Sequence, residues 1–284
     1  MNDAAPAPTR PPRPTVGRIA GELLITVGAL LLLFVIYEAF WTNLTSGRLQ
    51  QQASDELEEQ WDAAPAFDPG DEPVPPAVPA LGQPFARLHL PTLGADTEYT
   101  VLEGTRNEDL RTGPGRYTDT QMVGERGNAA LAGHRNGSGA VFQYIDRLQP
   151  CDPVVIETET QWMTYRVLPV AQDYDQRLAE ASDCMDHTTA DRLAGGEYSQ
   201  VQGNHITTPD AVEVLSPVPG GPWPPVDENP REDDETLGRQ PLERMLTLTT
   251  CHPQFSNAER LIVHAVLTET TAKTDQPPAS LEGR

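Results

Sequence analysis

The stretch "RMLTLTTCHPQFSNAERLIVHAVLTET" (Arg244–Thr270) holds two runs in which apolar and hydroxyl or charged side chains alternate, divided by a short segment containing Pro253 and Asn257. Alternation with a period of two marks strands that bury one face, so "RMLTLTT" and "RLIVHAVLTET" are predicted strands. Upstream lie similar runs, "FARLHLPTLG", "TEYTVLEGT", "NAALAGH", "PVVIETE", "WMTYRVLPV" and "AVEVLSPV", separated by Gly, Pro, Asn and Asp clusters. Together these eight runs predict a mainly β domain, a barrel or a sandwich, from Phe85 to about Thr270. A domain of ~185 residues is long enough for one sizeable core. Two stretches read as short helices: "NEDLRTG", with Asn107 as a cap, and "AVFQYIDRLQP", apolar at Val141, Tyr144, Ile145 and Leu148. The acidic stretch 171–203 and "PVPGGPWPPVDENPREDDETLGRQP" after it are expected as long surface loops.

The N-terminal part is of another kind. "IAGELLITVGALLLLFVIYEAFW" (Ile19–Trp41) is long enough, at 1.5 Å per residue over roughly 35 Å, to cross a bilayer core. A transmembrane helix is expected there; the competing assignment, a signal peptide, would have a shorter apolar region and a small-residue cleavage site. Arg10, Arg13 and Arg18 precede the span, whereas Arg48 and many acids follow it, which predicts a cytoplasmic N-terminus and an extracellular bulk. "RLQQQASDELEEQWDAA" has the composition of a short polar helix. The run "PAFDPGDEPVPPAVPALGQP" after it cannot pack a core and is expected as an extended, proline-stiffened stalk.

Composition excludes some partners. Against 42 Asp and Glu stand 20 Lys and Arg, a net charge of −22, which repels a phosphate backbone and argues against nucleic acid. The histidines and cysteines lack metal-ligand spacing, and no cofactor is expected.

Three cysteines, Cys151, Cys184 and Cys251, are an odd number for an exported domain, so at least one is unpaired or pairs between chains. Cys251 ends a predicted strand, where a side chain can face a cleft. A lone strand-end cysteine is ordinarily a buried structural thiol; as a nucleophile it would need a partner that favours thiolate. Of six histidines, His252 adjoins Cys251 but should face the other way, because successive strand side chains alternate. His134, in "ALAGHRNGSG", ends an apolar strand at a glycine-rich turn, and His264 shares a strand face with Arg260 and Ile262. Spacing alone leaves both open. Arg260 offers a fixed donor fork for negative charge developing on an acyl oxygen.

"TLTTC" (Thr247–Cys251), Arg260 in "ERLIVHAVL" and His134 in "AGHR" together resemble the sortase signature. More narrowly, "VLEGTRNEDLRTGPGRY", "GNAALAGHR", "FQYIDRLQP", "TYRV", "VEVLSPVPG" and "TLTTCHP" are similar to class E sortases of actinobacteria. The resemblance covers roughly Phe85 to Leu267. It implies a closed eight-stranded β-barrel with short helices, preceded by one transmembrane helix and a stalk. It also implies a cysteine transpeptidase in which Cys251 attacks a Thr-Gly bond, His134 acts as acid and then base, Arg260 holds the substrate and oxyanion, and Thr249 and Thr250 line the pocket. His264 falls outside the family's catalytic trio. The expected order is a cytoplasmic tail (1–18), a membrane helix (19–41), a stalk (42–84), the catalytic domain (85–270) and a C-terminal tail (271–284). The implied partners are secreted proteins carrying Leu-Ala-X-Thr-Gly or Leu-Pro-X-Thr-Gly and an amine of the peptidoglycan precursor. A membrane-tethered binding module with a structural thiol is the alternative. "HRNGSGAVF" lacks the Thr-Tyr pair common after the catalytic His in class E, and "QPCDPV" has Cys151 where glycine is common. Cys151 and Cys184 are therefore expected as an added disulfide on the oxidising side of the membrane.

Overall fold

The computed structural model describes residues 15–64, 76–222, 241–273 and 277–282, the side chains of 38–43 excepted. The N-terminal tail before Thr15, the proline-rich run at 65–75 and residues 223–240 of the second long loop lie outside them. The chain forms two units, Met1–Thr42 and Asn43–Arg284. Helix α1 (Val16–Ala63) starts in the first and ends in the second. Its segment Val16–Tyr37 has a mean hydropathy of 2.6 and is long and apolar enough to cross a membrane.

The second unit is built on a closed barrel. Its strands are β1 (Pro84–His89), β2 (Glu98–Glu103), β3 (Gly115–Arg116), β4 (Gly127–Ala132), β5 (Pro153–Glu157), β6 (Gln161–Val167), β7 (Asn204–Thr207), β8 (Arg244–His252) and β9 (Glu259–Ala272). The order β6-β5-β1-β2-β3-β4-β8-β9 closes on itself through β6–β9 pairing, which makes eight strands in the ring. Because β9 is 14 residues long, its last half pairs with β6 while its first half pairs with β7, a ninth strand outside the ring. Alternation along the strands sends Ala129, Leu131, Leu246, Leu248, Leu261 and Val263 into the barrel core.

The barrel was expected from a slightly different set of strands. "AVEVLSPV" is not a strand but contains a 3-10 turn, Val212–Leu215. The ring reaches eight through β3, two residues long. Such a short strand holds because Arg116, 2% exposed, forks onto Glu103 (Nε–Oε2 2.8 Å, Nη2–Oε1 2.6 Å) and donates to the carbonyls of Thr120 and Gln121. Gly115 is required there, since a Cβ would lie 2.0 Å from Gly104 O. "NEDLRTG" forms α2 (Asn107–Thr112), but Asn107 is inside the helix; Asp109 Oδ2 accepts from Arg106 N (2.9 Å) at its start. "AVFQYIDRLQP" yields only a 3-10 turn, Ile145–Arg147, although Val141, Phe142, Ile145 and Leu148 all reach the core.

The acidic stretch 171–203 is largely helical rather than a loop. Two helices, α3 (Tyr174–Ser182) and α4 (His187–Gly195), start at Asp173 and Asp186, whose carboxylates accept two backbone N–H groups each. Their apolar faces, with Ala181, Ala190 and Leu193, pack with Tyr198 and Val201 on Met245 and Val266 of the barrel exterior. Arg177, buried, donates to Leu193 O (3.0 Å), Ala171 O (2.9 Å) and Val201 O (2.9 Å), satisfying carbonyls that would otherwise be orphaned. A disulfide joins Cys184 beyond α3 to Cys151 before β5, with Cα atoms 5.7 Å apart.

The segment expected as a stalk behaves in its first half as part of the globular unit. From Ser46 to Trp61, α1 turns one face to the barrel: Ser46, Ala53 and Leu57 are buried, spaced as a helix stripe requires. Burying Leu57 alone is worth about 1.5–3 kcal/mol. Gln50 takes the place of an absent strand residue beside β2, accepting from Thr100 N (2.9 Å) and donating to Thr100 O (3.0 Å). Gly113 makes room for it, since a Cβ there would sit 2.0 Å from Gln50 Nε2. Trp61 stacks under two cations from opposite ends of the barrel's sequence, Arg87 (5.2 Å) and Lys273 (3.6 Å). Lys273 Nζ also meets Glu157 Oε1 (2.8 Å). Burial pushes the Glu157 carboxyl up, but hydrogen bonds from His89 and Lys273 and the charges of Lys273 and Arg87 outweigh it and hold it below the usual range.

Two stability outcomes are expected. Gln50→Ala leaves the Thr100 N–H and C=O unpaired and should lower the unfolding free energy by about 1–3 kcal/mol in a urea titration of the detergent-solubilised protein. Reducing the disulfide should cost roughly 3–4 kcal/mol, the chain-entropy value for a closed loop of 33 residues. Intact mass without reductant should show a single free thiol, at Cys251.

Candidate active site

β4 and β8 run parallel, in register from Gly127↔Arg244 to Ala132↔Thr249. Parallel strands carry their C-terminal ends to the same level, so His134 and Cys251, both two residues past the last β4–β8 pair, leave that ladder together. Both belong to the outward alternation, since Leu131, Leu246 and Leu248 fill the interior. The ladder continues one step as Gly133 N donates to Thr249 O (3.1 Å) and Thr250 Oγ1 donates to Gly133 O (2.7 Å). Arg260 is directly opposite Cys251 across the antiparallel β8–β9 pair.

His134 and Cys251 line one cavity of about 290 Å3 with Arg135, Asn136, Phe255, Ser256 and Asn257. Cys251 is the free cysteine and is half-buried. The half-buried His134 imidazole is held below its ordinary pKa by burial first and by the charge of Arg111 second. It is therefore neutral at pH 7 and able to take a proton from a thiol. A larger cavity, about 420 Å3, lies between α1 residues Ser46, Gly47 and Gln50 and the barrel, and neither imidazole nor thiol lines it.

The other expected residues are placed less simply. Arg260 shares the Cys251 face, but its Nη1 donates to Asn257 O (3.1 Å) and Glu259 O (3.0 Å) and it does not line the cavity. Thr249 and Thr250, expected in the pocket lining, are both 4% exposed and outside it. Their hydroxyls serve the framework, Thr249 meeting Tyr117 OH (3.0 Å) and Thr250 fixing Gly133.

His264 and His252 take other roles. His264 is buried with its Nδ1 2.8 Å from Thr247 Oγ1, which in turn donates to Asn128 Oδ1 (2.7 Å). Asn128 Nδ2 continues the chain to Val214 O (3.1 Å) and Ser216 O (3.2 Å), so His264 anchors the turn after β7. Burial, and secondly the neighbouring His205, hold its pKa well below the ordinary value. His252 does not turn to solvent: its Nδ1 is 2.6 Å from Arg135 Nη1. Arg135, 4% exposed, was missed by sequence reasoning; its signal was position, directly after His134.

A Sortase domain family model matches residues 88–268. The chain belongs to the sortase family. It is 30% identical to sortase SrtE1 of Streptomyces coelicolor over 272 residues, covering 93% of this chain and 60% of that protein. With SrtE2 of the same organism it shares 28% identity, covering 93% and 87%. Among solved structures, the SrtF sortase from Corynebacterium diphtheriae superposes with a TM-score of 0.66 at 43% identity, covering 77% of this chain and 99% of that one. The sortase barrel, the class E similarity and the thiol-bearing strand end thus agree. Sortases are cysteine transpeptidases, so the chemistry to be accounted for is acyl transfer through a thiol.

Arg111 provides a direct check on the site's electrostatics. Arg111→Gln removes a positive charge that disfavours imidazolium, so the His134 pKa should rise toward its ordinary value in an NMR titration of the ring protons. An unchanged or lower pKa would contradict the assigned cause.

Proposed function

We propose that this chain is a membrane-anchored sortase that cleaves the Thr-Gly bond of a sorting signal and transfers the new carboxyl end to an amine of the peptidoglycan precursor. The observation that carries it is the shared cavity: a free, half-buried thiol and an imidazole emerge side by side at the ends of parallel strands. Cys251 passes its proton to His134 and its sulfur attacks the Thr carbonyl carbon, giving a tetrahedral oxyanion. Protonated His134 then gives its proton to the departing Gly amine, leaving a thioester. In the second half His134 takes a proton from the incoming amine, which displaces sulfur and completes the new amide. Arg260 is the donor for the oxyanion or substrate backbone, exchanging its bonds to Asn257 and Glu259 carbonyls for substrate oxygens.

Anchoring rests on Val16–Tyr37, and the Arg10, Arg13 and Arg18 cluster before it supports a cytoplasmic N-terminus with the barrel outside. The disulfide suits the oxidising side. In this reading the domain order is a tail at 1–18, a membrane helix at 19–41, a catalytic domain at 85–270 and a tail at 271–284, with the proline-rich part of 42–84 as spacer. The class E similarity favours Leu-Ala-X-Thr-Gly over Leu-Pro-X-Thr-Gly. The second position would be read by the turn after His134 and the loop from Pro217 to Pro241. Fit of alanine against proline discriminates by only ~1–3 kcal/mol, about 10–200-fold, so some turnover of the proline peptide is expected.

Incubation with a panel of five-residue signal peptides and an amine, read by product mass, tests the proposal. Cys251→Ala should abolish the thioester without loss of fold. His134→Ala and Arg260→Ala should each lose most activity, and Arg260→Lys should not restore it, because a point charge cannot replace the planar fork. Transpeptidation by Cys251→Ala would remove the nucleophile assignment. A kcat/KM for the proline peptide equal to or above that for the alanine peptide would remove the substrate preference alone.

A further inference from the structure

Beyond Gly133 and Thr250 the β4–β8 ladder has ended, yet His134 and Cys251 must keep a fixed separation for a proton to pass between them. Backbone pairing no longer supplies that constraint. The residue next to His134 does: the Arg135 side chain returns across the gap to the chain segment that carries Cys251. Its Nη1 donates to His252 Nδ1 (2.6 Å) and, at 3.5 Å, approaches Cys251 O. Its other terminal nitrogen, Nη2, donates to Asp146 Oδ2 (3.0 Å), in the turn that follows the His134 loop. The loop is drawn shut at the same place, where Phe142 N donates to His134 O (3.0 Å). Asn136 adds a parallel tie when its carboxamide is oriented so that Oδ1 accepts from Phe255 N (2.7 Å).

Three features separate this guanidinium from an ordinary surface arginine. It is 4% exposed, so its charge is desolvated and its bonds are not exchanged with water. It lines the same cavity as His134 and Cys251, whereas Arg260 does not. It joins, through one planar rigid group, the His252 ring beside Cys251 to the Asp146 carboxylate beyond the His134 loop. We infer that Arg135 is a positioning residue for the transfer reaction: a brace, seated on His252 and Asp146, that holds the His134 and Cys251 segments at their reactive spacing. The inference rests on the assignment of Cys251 and His134 as the reacting pair.

The geometry specifies what the brace needs. His252 Nδ1 must be an unprotonated acceptor, which puts the ring proton on Nε2, the nitrogen 3.9 Å from Glu259 Oε2. The charged groups around the brace are thus Arg135 itself, Asp146 and Glu259, with the His252 ring as the acceptor among them. A side chain that presents an acceptor where Nδ1 stands can replace His252; one that presents none cannot. Asparagine is of the first kind and alanine of the second. Lysine in place of Arg135 can meet one partner at a time and holds the two segments less well.

The full chain in detergent micelles, a Leu-Ala-Glu-Thr-Gly peptide and an amine suffice for the test. kcat, KM, the thermal midpoint and the rate of Cys251 alkylation by iodoacetamide across pH are measured for Arg135→Ala, Arg135→Lys, His252→Ala and His252→Asn. Displacing reacting groups by about 1 Å costs on the order of 100-fold, so Arg135→Ala and His252→Ala should lose about 10–100-fold in kcat with KM within about threefold. His252→Asn should recover most of the loss and Arg135→Lys only part, while the pH profile of alkylation moves in both alanine variants. Wild-type kcat in His252→Ala, or an equal loss in His252→Asn and His252→Ala, overturns the brace. If Arg135→Ala does not fold, the His252 pair decides on its own. Cys251→Ala separates the levels: turnover by that variant overturns the thiol assignment and the brace with it. Its inactivity beside fully active Arg135 and His252 variants overturns the brace alone.

Discussion

Parallel pairing of β4 with β8 is the constraint on which the rest depends. Antiparallel neighbours would put the end of one strand beside the start of the other and separate His134 from Cys251 by a strand length. Parallel neighbours finish at one rim, and the in-register match from Gly127↔Arg244 onward brings the two side chains out on one face. The antiparallel β8–β9 pair then returns Arg260 to the same rim opposite Cys251. A thiol, an imidazole and a guanidinium are thereby brought to one rim by three strands. What loops add is fine adjustment, through the hydrogen bonds of Arg135 and Asn136.

Much of this was legible in the sequence, for reasons that differ by element. β8 and β9 were visible because each buries one face strongly, Leu246 and Leu248 against Leu261 and Val263. β3 was invisible: two residues carry no period, and what holds them is the buried Arg116–Glu103 fork, a side-chain contact that no periodicity reports. The 171–203 stretch read as loop because its acids dominate composition. The signals of helix were local, Asp173 and Asp186 as caps and alanines on one face, and such signals outweigh overall charge. His134 and Cys251 were singled out from strand ends and resemblance together. Thr249 and Thr250 were expected in the pocket because they adjoin the thiol; their hydroxyls meet Tyr117 OH and Gly133 O instead.

The polar chain His264–Thr247–Asn128 illustrates why a histidine on the correct face need not belong to the chemistry. It runs across β9, β8 and β4 and ends on the carbonyls of Val214 and Ser216, so it fastens the segment leading into the second long loop to the barrel wall. Its cost is a sensitivity to acid. Because the folded pKa lies below the value an unfolded chain would have, near 6.5, the unfolded state takes up the proton first. Stability then falls as pH drops below about 6.5 toward the lowered folded value.

Trp61 lies between Arg87, in the first barrel strand, and Lys273, just after the last. Synthesis delivers these groups in order, so the docking face of α1 waits for nearly the whole chain before its second cation exists. Ring closure has the same timing, since β6 must also await the far end of β9. During that interval Trp61 lacks one of its two cations, a matter of contact order rather than of final energy. Closure of this barrel therefore waits for the end of β9, and a nascent chain halted before Lys273 would hold its helix against an incomplete surface.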